Sequence, residues 1–250
     1  MQDRYGHRIS YLRVSITDRC NERCGYCMPQ ELQEWLPRHA ILTYEETLRL
    51  IRIAAELGVS KLRITGGEPL TRRGIVDFVR QIPEIRRITS IGLSTNGTLL
   101  GREIAPAKTM AEVLRDAGVQ SVNISLDTLN PTVYARITGR DFHAQVLDGI
   151  DAAIAARFYQ IKLNAVLMRG RNEDQLLPLI EFAVRGLGVI YVPTFMIKPQ
   201  LESGALVQVL RSHMPRDLWV FAVYAQRQFN SAALRSFIDF LAAGVTGPAS

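Results

Sequence analysis

Short stretches of this chain alternate apolar and polar residues one by one, and that alternation limits the fold more than any other feature. Leu12, Val14 and Ile16 share one face of an extended segment; Arg13, Ser15 and Thr17 share the other. Leu62 and Ile64 oppose Arg63 and Thr65 in the same way, and Ile91 and Leu93 oppose Gly92 and Ser94. Val122, Ile124 and Leu126 oppose Asn123, Ser125 and Asp127, and Ile161 and Leu163 oppose Lys162 and Asn164. Strands are expected at 12–17, 61–65, 88–94, 121–126, 161–167 and 189–196. Helices are expected at 43–57, where Thr43-Tyr44-Glu45-Glu46 reads as a capping box, at 73–81, up to about Gly118, at 145–156 and at 173–185. Such strand–helix repetition predicts a parallel sheet with its helices outside.

A parallel sheet covered on both faces reads as continuous apolar runs. These strands alternate instead, so their apolar faces must meet the helices. Their polar faces must be wet or filled by a polar ligand. A sheet curved into an open barrel satisfies both demands, whereas a closed eight-stranded barrel packs its interior with branched apolar residues. The expected fold class is α/β: a partial (β/α)6 TIM-like barrel of parallel strands over residues 1–200. A short helical tail follows over 201–250.

The 250 residues can bury a full core. The formal charge of +6 suits an anionic partner. No run of five Lys or Arg and no aromatic-interleaved basic stretch occurs, so a phosphate-bearing small molecule is favoured and no nucleic acid is expected. No segment reaches the roughly 18 apolar residues of a membrane span; the most apolar stretch, 219–244, is broken by Arg227, Arg235 and Asp239. Met1-Gln2-Asp3-Arg4 lacks an apolar signal core. A cytoplasmic monomer or homodimer is therefore expected.

Three cysteines, Cys20, Cys24 and Cys27, lie within eight residues at C-x3-C-x2-C spacing, and the chain has no others. A disulfide would leave one over and is unexpected in a reducing compartment. A structural zinc site wants a fourth ligand, and none of His7, His39, His143 and His213 stands at zinc-finger spacing from the loop. Three thiolates can instead hold a [4Fe–4S] cluster with one iron left open for chemistry. Zinc remains the main alternative.

Other motifs follow strand ends. Thr65-Gly66-Gly67-Glu68-Pro69-Leu70 could let a ligand approach the backbone, with the Glu68 carboxylate accepting from an ammonium group; a tight turn is the plainer account. Ser94-Thr95-Asn96-Gly97 reads as a ligand contact or an ordinary turn. Arg13, Arg63 and Lys162 lie on the polar faces of three strands. Each could pair with an acid such as Asp127, or together they could clamp phosphate oxygens. The histidines read as surface or structural residues.

The cysteine spacing, with Tyr26 before the last cysteine and Gly66-Gly67-Glu68-Pro69 downstream, resembles the radical S-adenosylmethionine (SAM) superfamily. The runs from Leu12 to Cys20, Cys27-Met28-Pro29, Arg63 to Leu70, Ser94 to Gly97 and Asn123 to Asp127 resemble its GTP 3′,8-cyclases of molybdenum-cofactor biosynthesis, over about residues 5–196. The resemblance implies that Cys20, Cys24 and Cys27 hold one [4Fe–4S] cluster whose open iron chelates SAM. It implies SAM contacts at Tyr26, Gly67, Ser125 and Met196, with Gly66 and Glu68 in the same turn, and GTP contacts at Arg13, Arg63, Ser94 and Lys162. It also implies a reducing electron donor and a 5′-deoxyadenosyl radical that initiates cyclisation of GTP. That family carries a second cluster on three further cysteines in a C-terminal region. These 250 residues hold none after Cys27, and 201–250 show no family motif. A radical SAM enzyme acting on another substrate, or a non-catalytic nucleotide- or partner-binding module, are the alternative readings.

Overall fold

In the computed structural model, residues 9–28, 35–185 and 202–203 are described. The chain divides into two units, Met1–Ile190 and Tyr191–Ser250. Only Glu202 and Ser203 of the second unit are described, so the expected strand at 189–196, Met196 and the helical tail lie outside the described residues.

Five parallel strands form the sheet of the first unit: β1 (Tyr11–Ser15), β2 (Lys61–Thr65), β3 (Ser90–Thr95), β6 (Ser121–Ser125) and β7 (Gln160–Asn164), side by side in that order. Each new strand joins the outer edge of the one before it, the progression of a βα barrel. The register aligns Arg13 with Arg63, Arg63 with Gly92, Ser94 with Asn123, Asn123 with Lys162, and Ser125 with Asn164. The fold class is thus the expected one, with five of its six strands among the described residues.

The alternation sorts the two faces as chemistry requires. Leu62, Ile64, Ile91, Leu93, Val122 and Ile124 are buried at 4 % exposure or less. On the opposite face Arg13, Ser15, Ser125, Lys162 and Asn164 are exposed, and Arg63, Thr65, Ser94 and Asn123 are half-buried. The helices cover the apolar face. α1 (Tyr44–Glu56) starts at the capping box of Thr43 and Glu46 and buries Leu48, Ile51 and Ala55, one stripe of a 3.6-residue period. α2 (Ile75–Arg80) adds Phe78 and Val79. α3 (Met110–Asp116) opens with a second capping box, Thr109 with Glu112. α5 (His143–Ala155) and α6 (Leu176–Arg185) complete the layer.

Two elements were not expected. An antiparallel hairpin, β4 (Glu103–Ala105) with β5 (Lys108–Thr109), precedes α3. Helix α4 (Pro131–Thr138) follows β6; Asn130 caps it by accepting from the Thr132 and Val133 amides, and Pro131 takes the first turn, where no amide partner is needed.

Leu93 lies at the centre of the sheet with no solvent exposure. Leu93→Ala is expected to cost about 2–5 kcal/mol by lost transfer energy and a residual cavity. The change in urea midpoint, at unchanged slope, measures it; a loss below about 1 kcal/mol would contradict this packing.

Candidate functional site

Every strand of the sheet sends its C-terminal end into one region, and the cysteine loop lies across it. The loop leaves β1 by extending the ladder. Ile16 N donates to Thr65 O at 3.0 Å, Gly67 N to Thr17 O at 2.8 Å, and Glu68 N to Arg19 O at 2.8 Å. The two glycines permit this approach: a Cβ on Gly66 would stand 2.5 Å from Thr17 O, and one on Gly67 would run into the Asp18 and Arg19 carbonyls. The glycine pair therefore serves the meeting of two backbones, a different need from the ligand approach expected from sequence. The Arg72 guanidinium also donates to Ile16 O while stacking 4.1 Å over the Tyr44 ring.

Glu68 likewise differs from expectation. It has no solvent exposure. Its Oε1 accepts from the Leu70 amide at 3.0 Å and the Thr95 hydroxyl at 2.8 Å, and its Oε2 accepts from the Asn96 amide at 2.6 Å. The carboxylate faces inward and ties the end of β2 to the end of β3; it is not offered to an ammonium group. Burial pushes its carboxyl up to about 7, against the pull of those three donors.

Asn96, 7 % exposed, is a loop anchor rather than an open ligand contact. Its Nδ2 donates to Asn21 Oδ1 at 2.8 Å and approaches Cys20 Sγ at 3.9 Å. Asn21 in turn donates to Thr98 Oγ1 at 2.9 Å. From β6, Asp127 accepts from the Tyr26 hydroxyl at 2.8 Å and from the Val166 amide, beyond β7, at 2.8 Å. From α4, the Thr138 and Ile137 carbonyls accept from the Arg23 and Gly25 amides at 2.7 and 3.1 Å.

The three sulfurs thus sit in a loop fastened on all sides. Cys20 and Cys24 are half-buried and Cys27 is exposed; all three are free thiols. Burial pushes the Cys20 thiol up to about 11 and the Cys24 thiol up to about 12, so a metal must displace a proton at each. Among the described residues, no three His, Cys, Asp or Glu side chains converge on a point that could hold one metal ion. Three free thiols on one loop are nonetheless the donor set of a cubane with one iron left open, and a closed zinc site would want a fourth ligand.

Sequence reasoning missed Glu22. It lies between the cysteines yet is 5 % exposed. Its Oε1 accepts from the Tyr134 hydroxyl of α4, its Oε2 from Cys24 Sγ at 3.6 Å, and its amide donates to Cys20 Sγ at 3.4 Å. Burial pushes its carboxyl up, and the Tyr134 and Cys24 donors pull it down. The only sequence cue was a charge within the polar cysteine loop, which by itself reads as solvated.

The expected anion clamp lies on the polar sheet face. Arg13 and Lys162 are exposed, and no ion pair among the described residues involves Arg13, Arg63 or Lys162. Asp127 is engaged with Tyr26 instead. The Arg63 guanidinium lies across Gly92 and donates to Tyr11 Oη at 2.9 Å, Leu93 O at 3.2 Å and Ser121 Oγ at 3.4 Å. Three of its five N–H groups are thereby engaged. Ser94 and Ser125 share this face, Ser125 at its C-terminal rim. His143 is 9 % exposed and packs edge-on to Tyr134 at 5.5 Å, the structural role expected of it; His39 is exposed, and His7 and His213 lie outside the described residues.

Two predictions follow from this fastening. Gly67→Ala is expected to abolish iron uptake during anaerobic reconstitution, while Gly25→Ala, whose Cβ meets nothing nearer than Arg171 at 3.8 Å, retains it; equal uptake by the two variants would contradict the account. Glu68 protonates more readily folded than unfolded, so its contribution to stability is full below about pH 4.5 and is lost as pH rises through about 7. Between pH 4.5 and 7 the stability of the metal-free protein should therefore fall relative to Glu68→Gln, by roughly 3 kcal/mol across the window. Parallel urea-denaturation curves of the two proteins across that range would contradict it.

Comparison with known proteins agrees with this geometry. The family model described as the radical SAM superfamily matches residues 14–183. A second model, the LysR substrate binding domain, matches residues 173–246, most of them outside the described residues. The GTP 3′,8-cyclase of Limosilactobacillus fermentum is 47 % identical over 182 residues, 73 % of this chain and 53 % of that protein. That of Ectopseudomonas mendocina is 46 % identical over 191 residues, 76 % of this chain and 55 % of that one. The chain thus spans about half the length of the curated relatives it matches. Among solved structures, Streptococcus suis SuiB aligns with a TM-score of 0.56 at 19 % identity, covering 71 % of this chain and 37 % of that one. The hydrogenase maturase HydG of Carboxydothermus hydrogenoformans aligns at 0.54 and 19 %, covering 70 % and 40 %. These last two bear on the fold alone. The cysteine loop on its parallel sheet and the match over 14–183 together make this chain a member of the radical SAM superfamily.

Proposed function

We propose that this chain binds one [4Fe–4S] cluster on Cys20, Cys24 and Cys27, cleaves SAM there, and directs the radical at GTP held on the polar sheet face. This is the GTP 3′,8-cyclase reaction that opens molybdopterin synthesis. The observation that carries the reading is the fastened three-cysteine loop at the rim of a sheet whose polar face presents Arg13, Arg63 and Lys162, none of them paired with a carboxylate among the described residues. Identity of 44–47 % to curated GTP 3′,8-cyclases supports the choice of substrate.

The chemistry such a cluster supplies when bound is one-electron reduction of SAM to methionine and a 5′-deoxyadenosyl radical. The protein's own part is positional. The loop from Thr17 to Gly25 is tied to the ends of β2, β3 and α4, so its thiols keep one arrangement. Tyr26, Gly67 and Ser125 line the rim where SAM would lie, with the Tyr26 ring held by Asp127. Arg13 and Lys162 are exposed on this face and would neutralise phosphate oxygens, and Arg63 has N–H groups in reserve. Ser94, aligned in register with Asn123 and through it with Lys162, adds a hydroxyl on the same face. A triphosphate held on that face and SAM held at its rim would leave the chain's part in the reaction as positioning, from which much of an enzyme's rate can come. Among the described residues no helix is long and apolar enough to cross a membrane.

The test is to reconstitute the chain anaerobically, reduce it with dithionite in place of the cellular electron donor, and measure 5′-deoxyadenosine with and without GTP. Release that GTP stimulates, with GTP consumed, is the expected result. Absence of release from iron-loaded protein contradicts the reading, and release indifferent to GTP points to another substrate. Lys162→Ala should raise the KM for GTP about tenfold or more, the usual effect of losing a hydrogen bond to a charged group.

A further inference from the structure

One rung of the sheet, read across its five strands, runs Arg13, Arg63, Gly92, Ser121 and Gln160. Its middle position has no side chain, and the Arg63 guanidinium fills the space. A Cβ on Gly92 would stand 2.9 Å from Cζ and Nη2 of Arg63 and 2.9 Å from Ser121 Oγ. Gly92 lies inside β3 and takes no left-handed conformation. Glycine weakens a strand interior and marks a close approach, so what Gly92 contributes is room.

Acceptors from three other strands hold the guanidinium there. Nε donates to Tyr11 Oη of β1 at 2.9 Å, Nη1 to Leu93 O of β3 at 3.2 Å, and Nη2 to Ser121 Oγ of β6 at 3.4 Å. Tyr11 precedes Arg13 by two residues and so shares the polar face. All three acceptors are neutral. They fix the direction of the guanidinium and leave its charge whole, unlike the Arg80–Asp77 and Lys108–Asp116 pairs, where a carboxylate offsets the cation. Among the described residues, one N–H on each terminal nitrogen stays uncommitted. An arginine that swings freely gives up rotamer entropy when it grips an anion, and one already seated gives up less. We propose that Gly92, Tyr11 and Ser121 are positioning residues that seat Arg63 in advance for the phosphate oxygens of the substrate, Gly92 by having no side chain. The inference rests on the reading of Arg63 as a phosphate contact and assigns the strength of that contact to three residues that act through it.

The experiment is a calorimetric titration of GTP into the anaerobically reconstituted chain, with iron counted on each sample. Four proteins make a double-mutant cycle: unaltered, Gly92→Ala, Arg63→Ala and the two together. Gly92→Ala is expected to weaken GTP binding about tenfold, the usual effect of displacing a charged hydrogen-bond donor. With Arg63 already replaced it is expected to weaken binding no further, because no guanidinium remains to be displaced. A sheet merely loosened by the extra methyl would lose affinity by the same factor in both backgrounds. That equal factor overturns the proposal, as does unchanged affinity in Gly92→Ala or in Arg63→Ala. Should Gly92→Ala fail to fold, Tyr11→Phe takes its place in the cycle, since Tyr11 is 45 % exposed and loses only its hydroxyl. It is expected to weaken GTP about threefold with Arg63 present and not at all without it; equal factors again overturn the proposal. An unaltered chain that carries iron yet binds no GTP defeats the substrate reading and this proposal with it, whereas an additive cycle defeats this proposal alone.

Discussion

The site depends on the backbone of residues 16–19 lying flush against residues 65–68. Three amide-to-carbonyl bonds join the two segments, and the missing side chains of Gly66 and Gly67 let them close. The cysteine loop starts from that seam. It continues the β1–β2 ladder past the end of the sheet, so the strand register sets where Cys20 begins. A loop free at this point would have to order three thiols at the cost of its own conformational entropy. Here the sheet has already met much of that cost.

The same seam explains why so many polar groups are buried nearby. Glu68, Asn96, Glu22 and Asp127 are all at most 7 % exposed, and each accepts or donates across two elements. Their hydrogen bonds offset the desolvation that burial imposes. They also give the rim a single arrangement, as satisfied polar networks do. The polar face below is built the opposite way. Arg13 and Lys162 stand in solvent, as the anion clamp proposed above would need. Under that proposal the tied rim would fix the cofactor and the open face would receive the substrate.

Much of this was legible in the residues. The alternation of Leu62-Arg63-Ile64-Thr65 placed the two sheet faces correctly, because a strand's period is two and burial demands one sign per face. The five described strands fall within about three residues of their expected bounds. The cysteine spacing pointed to the superfamily that the match over 14–183 establishes. The misses are physical. Helix α4 is short, with only Tyr134, Ile137 and Thr138 buried, so its period was weak; its cues were Asn130-Pro131 at the start and Gly139 at the end. The hairpin of β4 and β5 is too brief to show any period. Glu68 turned inward because its partners, Thr95 and Asn96, lie on another strand. Glu22 was unreadable for the same reason, since its burial requires Tyr134 from a helix far along the chain.

The central claim is that three thiols on a pinned loop hold an iron–sulfur cube with one iron open to SAM. EPR of the anaerobically reconstituted, dithionite-reduced chain tests it most directly, recorded before and after SAM is added. The account predicts a reduced-cluster spectrum whose g-values change when SAM occupies the open iron. A spectrum that SAM leaves untouched, or a protein that carries zinc and no iron, would contradict it.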